Sequence, residues 1–253
     1  MSKVLDGRIC IVTGAGSGIG RAAATEMAAE GACVVVADVR MDDLEETAAI
    51  IESHGGVVRV RRTDVRKEED VASLVDFTVS EFGKLDCAFN NAGVEGDAFK
   101  PLADYPSSSW SDVIAVNLIG VFLCMKHELP HLVASKGCIV NAASVAGLSG
   151  SKFGSAYHAS KHGVVGLTRA AAMEYADRGV RVNAVAPGVI RTPMAERAFL
   201  RDATAAARYA SMHPLGRVGE PEEVARAVVW LCSANASFTT GHILPVDGGI
   251  LVS

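Results

Sequence analysis

Residues 8–38 constrain this chain more than any other stretch. Ile9-Cys10-Ile11-Val12 is a short apolar run of the kind found in a strand buried on both faces. It breaks into Thr13-Gly14-Ala15-Gly16-Ser17-Gly18-Ile19-Gly20, and residues 21–30 then read as an Ala-rich helix closed by Gly31. Cys33-Val34-Val35-Val36-Ala37 forms a second apolar strand that ends on Asp38. Strand, glycine loop, helix and strand within about thirty residues make a crossover unit of a parallel sheet.

Closed by an acid, that unit resembles the dinucleotide-binding fingerprint. A pyrophosphate must approach backbone N–H groups at a helix N-terminus, where unpaired donors and the helix dipole favour negative charge. Glycine at 14, 18 and 20 leaves room for it, with Ser17 and Ile19 between them. Asp38 is suited to accept hydrogen bonds from both hydroxyls of an adenosine ribose and to repel a 2′-phosphate. The expected cofactor is therefore NAD(H) rather than NADP(H), with Arg40 as the residue that argues the other way. The bland alternative, a Gly-rich turn beside a surface Asp, does not explain the whole unit.

At 253 residues the chain is near the upper size of one hydrophobic core, so a single domain is expected over 1–253. Its net charge of −5 gives no broad basic field, which argues against nucleic acid as a partner. The six cysteines are scattered without a Cys-x-x-Cys pair, so neither a disulfide framework nor a metal site is expected. The N-terminus lacks the apolar core of a signal peptide, and no uninterrupted apolar run reaches the roughly 18 residues of a membrane span. The expectation is a cytoplasmic protein with no membrane partner.

After Asp38 the pattern alternates helix and strand with short connections. Helices are expected over 42–54, 67–82, 109–133, 155–176, near 195–210 and over 221–232; strands over 57–61, 85–89, 138–141, 180–185 and 242–246. The 109–133 helix carries an apolar stripe of Trp110, Val113, Ile114, Leu118, Val121, Phe122, Met125 and Leu129, interrupted by Asn117. These elements predict an α/β, doubly wound Rossmann fold: a seven-stranded parallel sheet with helices on both faces and ligands outside the carboxyl ends of the strands.

Tyr157 and Lys161 lie four apart on a predicted helix and share a face. A phenol titrates near 10, too high for a base at neutral pH, and a nearby ammonium stabilises the phenolate. Ser144 follows the fifth strand and can hold a carbonyl or hydroxyl oxygen; Asn117 is a polar group on an apolar stripe, costly unless paired.

At these residues the sequence resembles the short-chain dehydrogenase/reductase family, across essentially the whole chain. Thr13-Gly14-Ala15-Gly16-Ser17-Gly18-Ile19-Gly20 matches the family's glycine motif, and Asn90-Asn91-Ala92-Gly93 its loop beneath the adenine and central sheet. Asn117, Ser144, Tyr157 and Lys161 match its catalytic tetrad in order and spacing. Pro187-Gly188-Val189-Ile190-Arg191-Thr192 matches the segment that meets the nicotinamide, and Asp64-Val65 sits where the family contacts adenine. The resemblance implies cofactor contacts from Asn91, Ala92, Gly93, Tyr157, Lys161, Pro187, Gly188, Ile190 and Thr192. It implies reversible hydride transfer between NAD(H) and a secondary alcohol or ketone. In it Tyr157 moves the proton, Lys161 lowers the Tyr157 pKa and binds ribose hydroxyls, Ser144 orients the substrate oxygen, and Asn117 holds a relay water.

Substrate residues are expected at Val145, Phe153, Val189, Met194 and Phe199, with Leu148, Met212, Glu95 and His213 as further candidates. This mostly apolar set favours a hydrophobic or alicyclic alcohol or ketone. The punctuated stretch 188–219 reads as a substrate lid. Two other readings share the scaffold: a reductase of 3-oxoacyl thioesters on acyl carrier protein, and a non-catalytic nucleotide-sensing protein. The resemblance also implies a homotetramer, to which the apolar ends 228–231 and 250–252 are suited.

Overall fold

The computed structural model describes residues 3–152, 154–198 and 200–253. Its sheet contains β1 (Ile9–Thr13), β2 (Cys33–Asp38), β3 (Val57–Arg62), β4 (Cys87–Asn90), β5 (Cys138–Ala142), β6 (Arg181–Pro187) and β7 (Ile243–Val246). All pairings are parallel, in the order β3-β2-β1-β4-β5-β6-β7. The helices are α1 (Gly18–Ala29), α2 (Met41–Ser53), α3 (Glu68–Phe82), α4 (Ser107–Ile114), α5 (Gly120–Ser135), α6 (Ser155–Tyr175), α7 (Pro193–Ala198), α8 (Ala203–Ser211) and α9 (Pro221–Cys232). This is the doubly wound Rossmann arrangement expected.

The period of two along each strand divides the core. Cys10, Val12, Val34 and Val36 pack with Met27 of α1, Leu44 of α2 and Val228 of α9. Ile11, Val35 and Ala37 face the other way, toward Leu74 of α3, Met125 of α5 and Val164 of α6. Both faces are therefore apolar, as a two-sided parallel sheet demands.

Three expectations need correction. The helix expected over 109–133 is interrupted by a π turn at Ala115–Ile119, in which the Gly120 N–H bonds back to the Ala115 carbonyl. The extra residue shifts the helical phase, so Phe122, expected on the buried stripe, is 47% exposed, while Glu128 turns into the core at 1%. Second, the helical stretch Ser107–Ser135 is long and apolar enough to cross a membrane, with mean hydropathy 1.5, although no uninterrupted apolar run suggested one. Val121, Met125, Leu129 and Leu132 pack it against the sheet, as in a core helix. Third, the helix near 195–210 is two helices, α7 and α8, with Asp202 capping the second through its bond from the Ala205 N–H at 2.9 Å.

The scattered cysteines also converge. Strand register sets Cys10 beside Cys87 and Cys87 beside Cys138, and the Sγ atoms of Cys87, Cys138 and Cys232 lie within 4.8 Å of one another. They sit at the amino ends of the strands, away from the crevice described below. Mutual hydrogen bonding and burial raise the Cys10 and Cys232 thiols well above the ordinary range. Cys10 and Cys232 pack as small neutral groups, while hydrogen bonds from its neighbours lower the Cys87 thiol at the centre of the cluster.

Glu128 receives one hydrogen bond, from Asn90 Nδ2 at 3.0 Å, and burial pushes its carboxyl up to about 7 against that bond. The folded chain thus holds a proton here that the unfolded chain releases near 4.5, so stability from this group is full below 4.5 and lost as pH rises through 7. Glu128→Gln keeps the acceptor for Asn90 and removes the buried charge. Thermal unfolding should show it stabilised by up to about 3 kcal/mol at pH 8 and by much less at pH 5.

Candidate active site

Strand order reverses between β1 and β4, and there the carboxyl ends of the strands open onto a crevice. Its floor is the glycine loop. Gly14 has a φ of +64°, and a Cβ there would lie 2.8 Å from Ala92 Cα, so only glycine fits between the loop and the 90–93 segment. Those two segments are locked together. Thr13 Oγ1 accepts from the N–H groups of Asn91 (3.0 Å) and Ala92 (3.2 Å), and Asn91 Nδ2 donates to the carbonyls of Thr13 and Gly14, both at 3.1 Å. Gly20 does not line the crevice; a Cβ there would collide with the Gly14 carbonyl, so its service is close helix–loop packing.

Asp38, at the end of β2, accepts from the Gly16 N–H and the Arg40 N–H, each at 3.2 Å, which fixes its carboxylate at the crevice edge. Arg40 lines the same crevice: its Nε pairs with Asp43 at 2.7 Å and its Nη2 donates to Ser17 Oγ at 3.5 Å. Asp64 forms a two-pronged pair with Arg66, at 2.9 and 2.7 Å, which holds its carboxyl below the usual range. Asp64, Val65 and Arg66 line the same crevice as Asp38, Gly14, Ser17, Gly18 and Ile19, in a volume of about 470 Å³.

The second half of the site begins where β5 ends. Ser144 caps the short turn Val145–Gly147, accepting from the Ala146 N–H at 3.1 Å. That turn lies directly on α6: a Cβ on Gly147 would come within 2.7 Å of the Lys161 carbonyl oxygen. The close approach brings Ser144 into hydrogen-bond contact with Tyr157. Lys161 is 4% exposed, donates to the Ala142 carbonyl at 2.7 Å and stands 5.5 Å from the centre of the Tyr157 ring.

Asn117 sits in the π turn, fully buried. Its Oδ1 accepts from the Val94 N–H at 2.8 Å, and its Nδ2 donates to the Val94 carbonyl at 2.9 Å and to Ser160 Oγ at 3.3 Å. The polar group on the apolar stripe is therefore fully paired. It clamps the loop after β4 to α6, with Gly93 between Asn117 and Lys161.

Burial pushes the Tyr157 phenol up to about 12, opposed by its bond with Ser144; Glu95 adds to the rise. Burial also brings the Lys161 ammonium down to about 8. Burial sets the direction of both shifts, and the Lys161 ammonium donates to the Ala142 carbonyl.

A second cleft of about 790 Å³ adjoins Ser144, Tyr157 and Lys161. Val145, Val189, Met194, Ala195, Met212, Ile250 and Leu251 give it an apolar wall, and Lys152, His158 and Arg208 stand among its polar residues. Pro187, Gly188, Ile190 and Thr192 border it on the β6 side. Thr192 also approaches the glycine loop, since a Cβ on Gly18 would meet it at 3.1 Å. The two clefts share Ile19, Asn91, Gly93, Thr192 and Met194, and so form one continuous groove.

A family model described as enoyl-(acyl carrier protein) reductase matches residues 14–251. A 2,5-dichloro-2,5-cyclohexadiene-1,4-diol dehydrogenase of Sphingobium indicum is 47% identical over 97% of this chain and 97% of its own. A cyclohexanol dehydrogenase of an Acinetobacter species is 43% identical over 98% of this chain and 96% of its own. The crystal structure of a short-chain type dehydrogenase/reductase from Mycobacterium marinum superposes with a TM-score of 0.93 at 34% identity, covering 100% of this chain and 98% of that one. The chain belongs to the short-chain dehydrogenase/reductase family.

Within this family member, Ser144, Tyr157 and Lys161 come together on one cleft, while Asn117 stands behind it. Of the expected substrate residues, Val145, Val189 and Met194 line the cleft; Phe153 and Phe199 lie outside the described residues. Leu148 packs in the core instead, and Glu95 pairs with Arg197 at 2.9 Å. Sequence reasoning did not find Arg66, Phe99 or Tyr209, and it assigned Ile250 and Leu251 to a subunit interface rather than to the cleft wall. An apolar tail carries the same pattern whichever surface it meets.

Proposed function

We propose that the chain is an NAD(H)-dependent dehydrogenase that interconverts an alicyclic secondary alcohol and its ketone. The observation that carries this is the apolar cleft set directly against Ser144 and Tyr157. The two relatives above act, by their names, on six-membered ring alcohols, and a ring of that size suits a wall of Val145, Val189, Met194 and Leu251. Asp38 supports NAD(H), because a fixed carboxylate at the end of β2 receives ribose hydroxyls and repels a 2′-phosphate. NAD, when bound, supplies the hydride acceptor.

The residues do the rest. Ser144 holds the substrate oxygen, where negative charge develops. Tyr157 takes the hydroxyl proton in oxidation and returns it in reduction. Lys161 holds charge beside the phenol and offers its ammonium to the nicotinamide ribose. Asn117, with both ends of its amide committed to Val94, keeps the Gly93 wall beside Lys161. Because burial brings the Lys161 ammonium down to about 8, the charge it holds beside the phenol is lost as pH rises past that value, and kcat/KM should fall there.

The direct test is a fluorescence titration with NADH and NADPH, followed by initial rates on cyclic, open-chain and carboxylated secondary alcohols. Tight NADH binding with fastest turnover of cyclic neutral alcohols is expected. A preference for NADPH and for 3-oxoacyl thioesters would establish the thioester reductase reading instead.

The segment 188–219 is read as the substrate lid, supported by its own small core of Ala195, Leu200 and Val218. Free cysteines fit a reducing, cytoplasmic setting. A homotetramer is read from Ile119, Phe122 and Met173, apolar side chains left 46%, 47% and 83% exposed. Light scattering should give four chains; one chain would refute it.

A further inference from the structure

His213 lines neither cleft, yet three parts of the groove meet on it. It is 3% exposed and follows α8. Its Nδ1 lies 2.8 Å from the Tyr209 carbonyl, and its Nε2 lies 3.2 Å from the Val189 N–H. A carbonyl only accepts and an N–H only donates, so the imidazole is neutral, with its proton on Nδ1. The ring also occupies the space beside Gly188, where a Cβ would fall 2.9 Å from Nε2 and 3.0 Å from Asp247 Cα.

The tail joins at the same point. Gly248 packs against the His213 ring and Cβ, the Leu215 N–H donates to the Gly248 carbonyl at 3.2 Å, and Asp247 accepts from the Leu251 N–H at 3.0 Å. One side chain therefore touches the Gly188–Val189 loop on one side of the groove. It also touches α8, which brings Arg208, Tyr209 and Met212 to the cleft, and the turn that brings Ile250 and Leu251.

We propose that His213 is a positioning residue that sets the Pro187–Thr192 loop in register with the substrate wall. Its placement does not depend on the cofactor or substrate assigned above; its kinetic consequence rests on that assignment. A flat ring with an acceptor at one end and a donor at the other spans Val189 and Tyr209. A hydrocarbon of the same shape leaves a buried N–H and C=O unpaired.

The test compares His213→Phe and His213→Gln with the wild-type chain by amide hydrogen exchange and by NADH titration. In the Phe variant, exchange should accelerate in the peptides covering 187–192 and 208–215 and stay unchanged in β1 and α6. Its Kd for NADH and KM for alcohol should each rise about tenfold, the equivalent of one lost hydrogen bond, with the pH profile unmoved. Gln, which keeps a donor and an acceptor, should recover most of both. Should Phe not fold, Gln is compared with Asn, whose shorter arm reaches one partner only and should show the faster exchange. Equal exchange in the compared variants, or a lowered Tm with Kd and KM unchanged, would overturn the proposal. The exchange readout stands whichever alcohol the enzyme turns over.

Discussion

Tyr157→Phe should lower kcat by at least 10³-fold while leaving the Kd for NADH within about twofold of the wild-type value. Tyr157 is the group in the cleft that both contacts Ser144 through its hydroxyl and has the Lys161 ammonium 5.5 Å from its ring centre. Removing that oxygen leaves the ring, the packing of α6 and the bond from Lys161 to Ala142 in place. Ser144 still binds the substrate oxygen, so KM should change much less than kcat. The check is steady-state kinetics with cyclohexanol together with a fluorescence titration. Unchanged turnover would remove Tyr157 from the chemistry, and with it the assignment of the cleft.

Asp38→Asn should reduce kcat/KM for NAD by about 10- to 100-fold and narrow the gap to NADP by more than that. The amide oxygen keeps an acceptor for one of the two backbone N–H groups, those of Gly16 and Arg40, and the other is left facing the amide NH2. What disappears is the charge, which is both the strong acceptor for ribose hydroxyls and the source of repulsion against a 2′-phosphate. Initial rates with each dinucleotide at fixed alcohol decide it. If the ratio of the two specificities does not move, discrimination lies elsewhere, and Arg40 becomes the first residue to examine.

Much of the fold was legible because the deciding signals are local. Alternation within Cys10–Ile11–Val12 and Val34–Val35–Val36 assigns each residue to a sheet face, and glycine marks the turns that need a left-handed backbone or close approach. Ser144, Tyr157 and Lys161 were legible for a similar reason: strand ends and i, i+4 spacing place them on one edge. The failures are non-local. The π turn at Ala115–Ile119 changes helical phase with no glycine or proline within it, only Gly120 at its end, and so misplaced Phe122 and hid the burial of Glu128. The thiol cluster needs strand register across three strands and the end of a distant helix. Ile250 and Leu251 read simply as an apolar tail, and their place on the cleft depends on Asp247 and the turn it organises.

The central claim is that a hydride passes from the ring carbon of an alicyclic alcohol to a nicotinamide held beside Tyr157. Cyclohexanol deuterated at the carbinol carbon, incubated with NAD and the wild-type protein, tests it most directly. The account predicts that deuterium appears in NADH, on one face of the nicotinamide, with cyclohexanone as the other product. No NADH formation, or NADH without label, would contradict it.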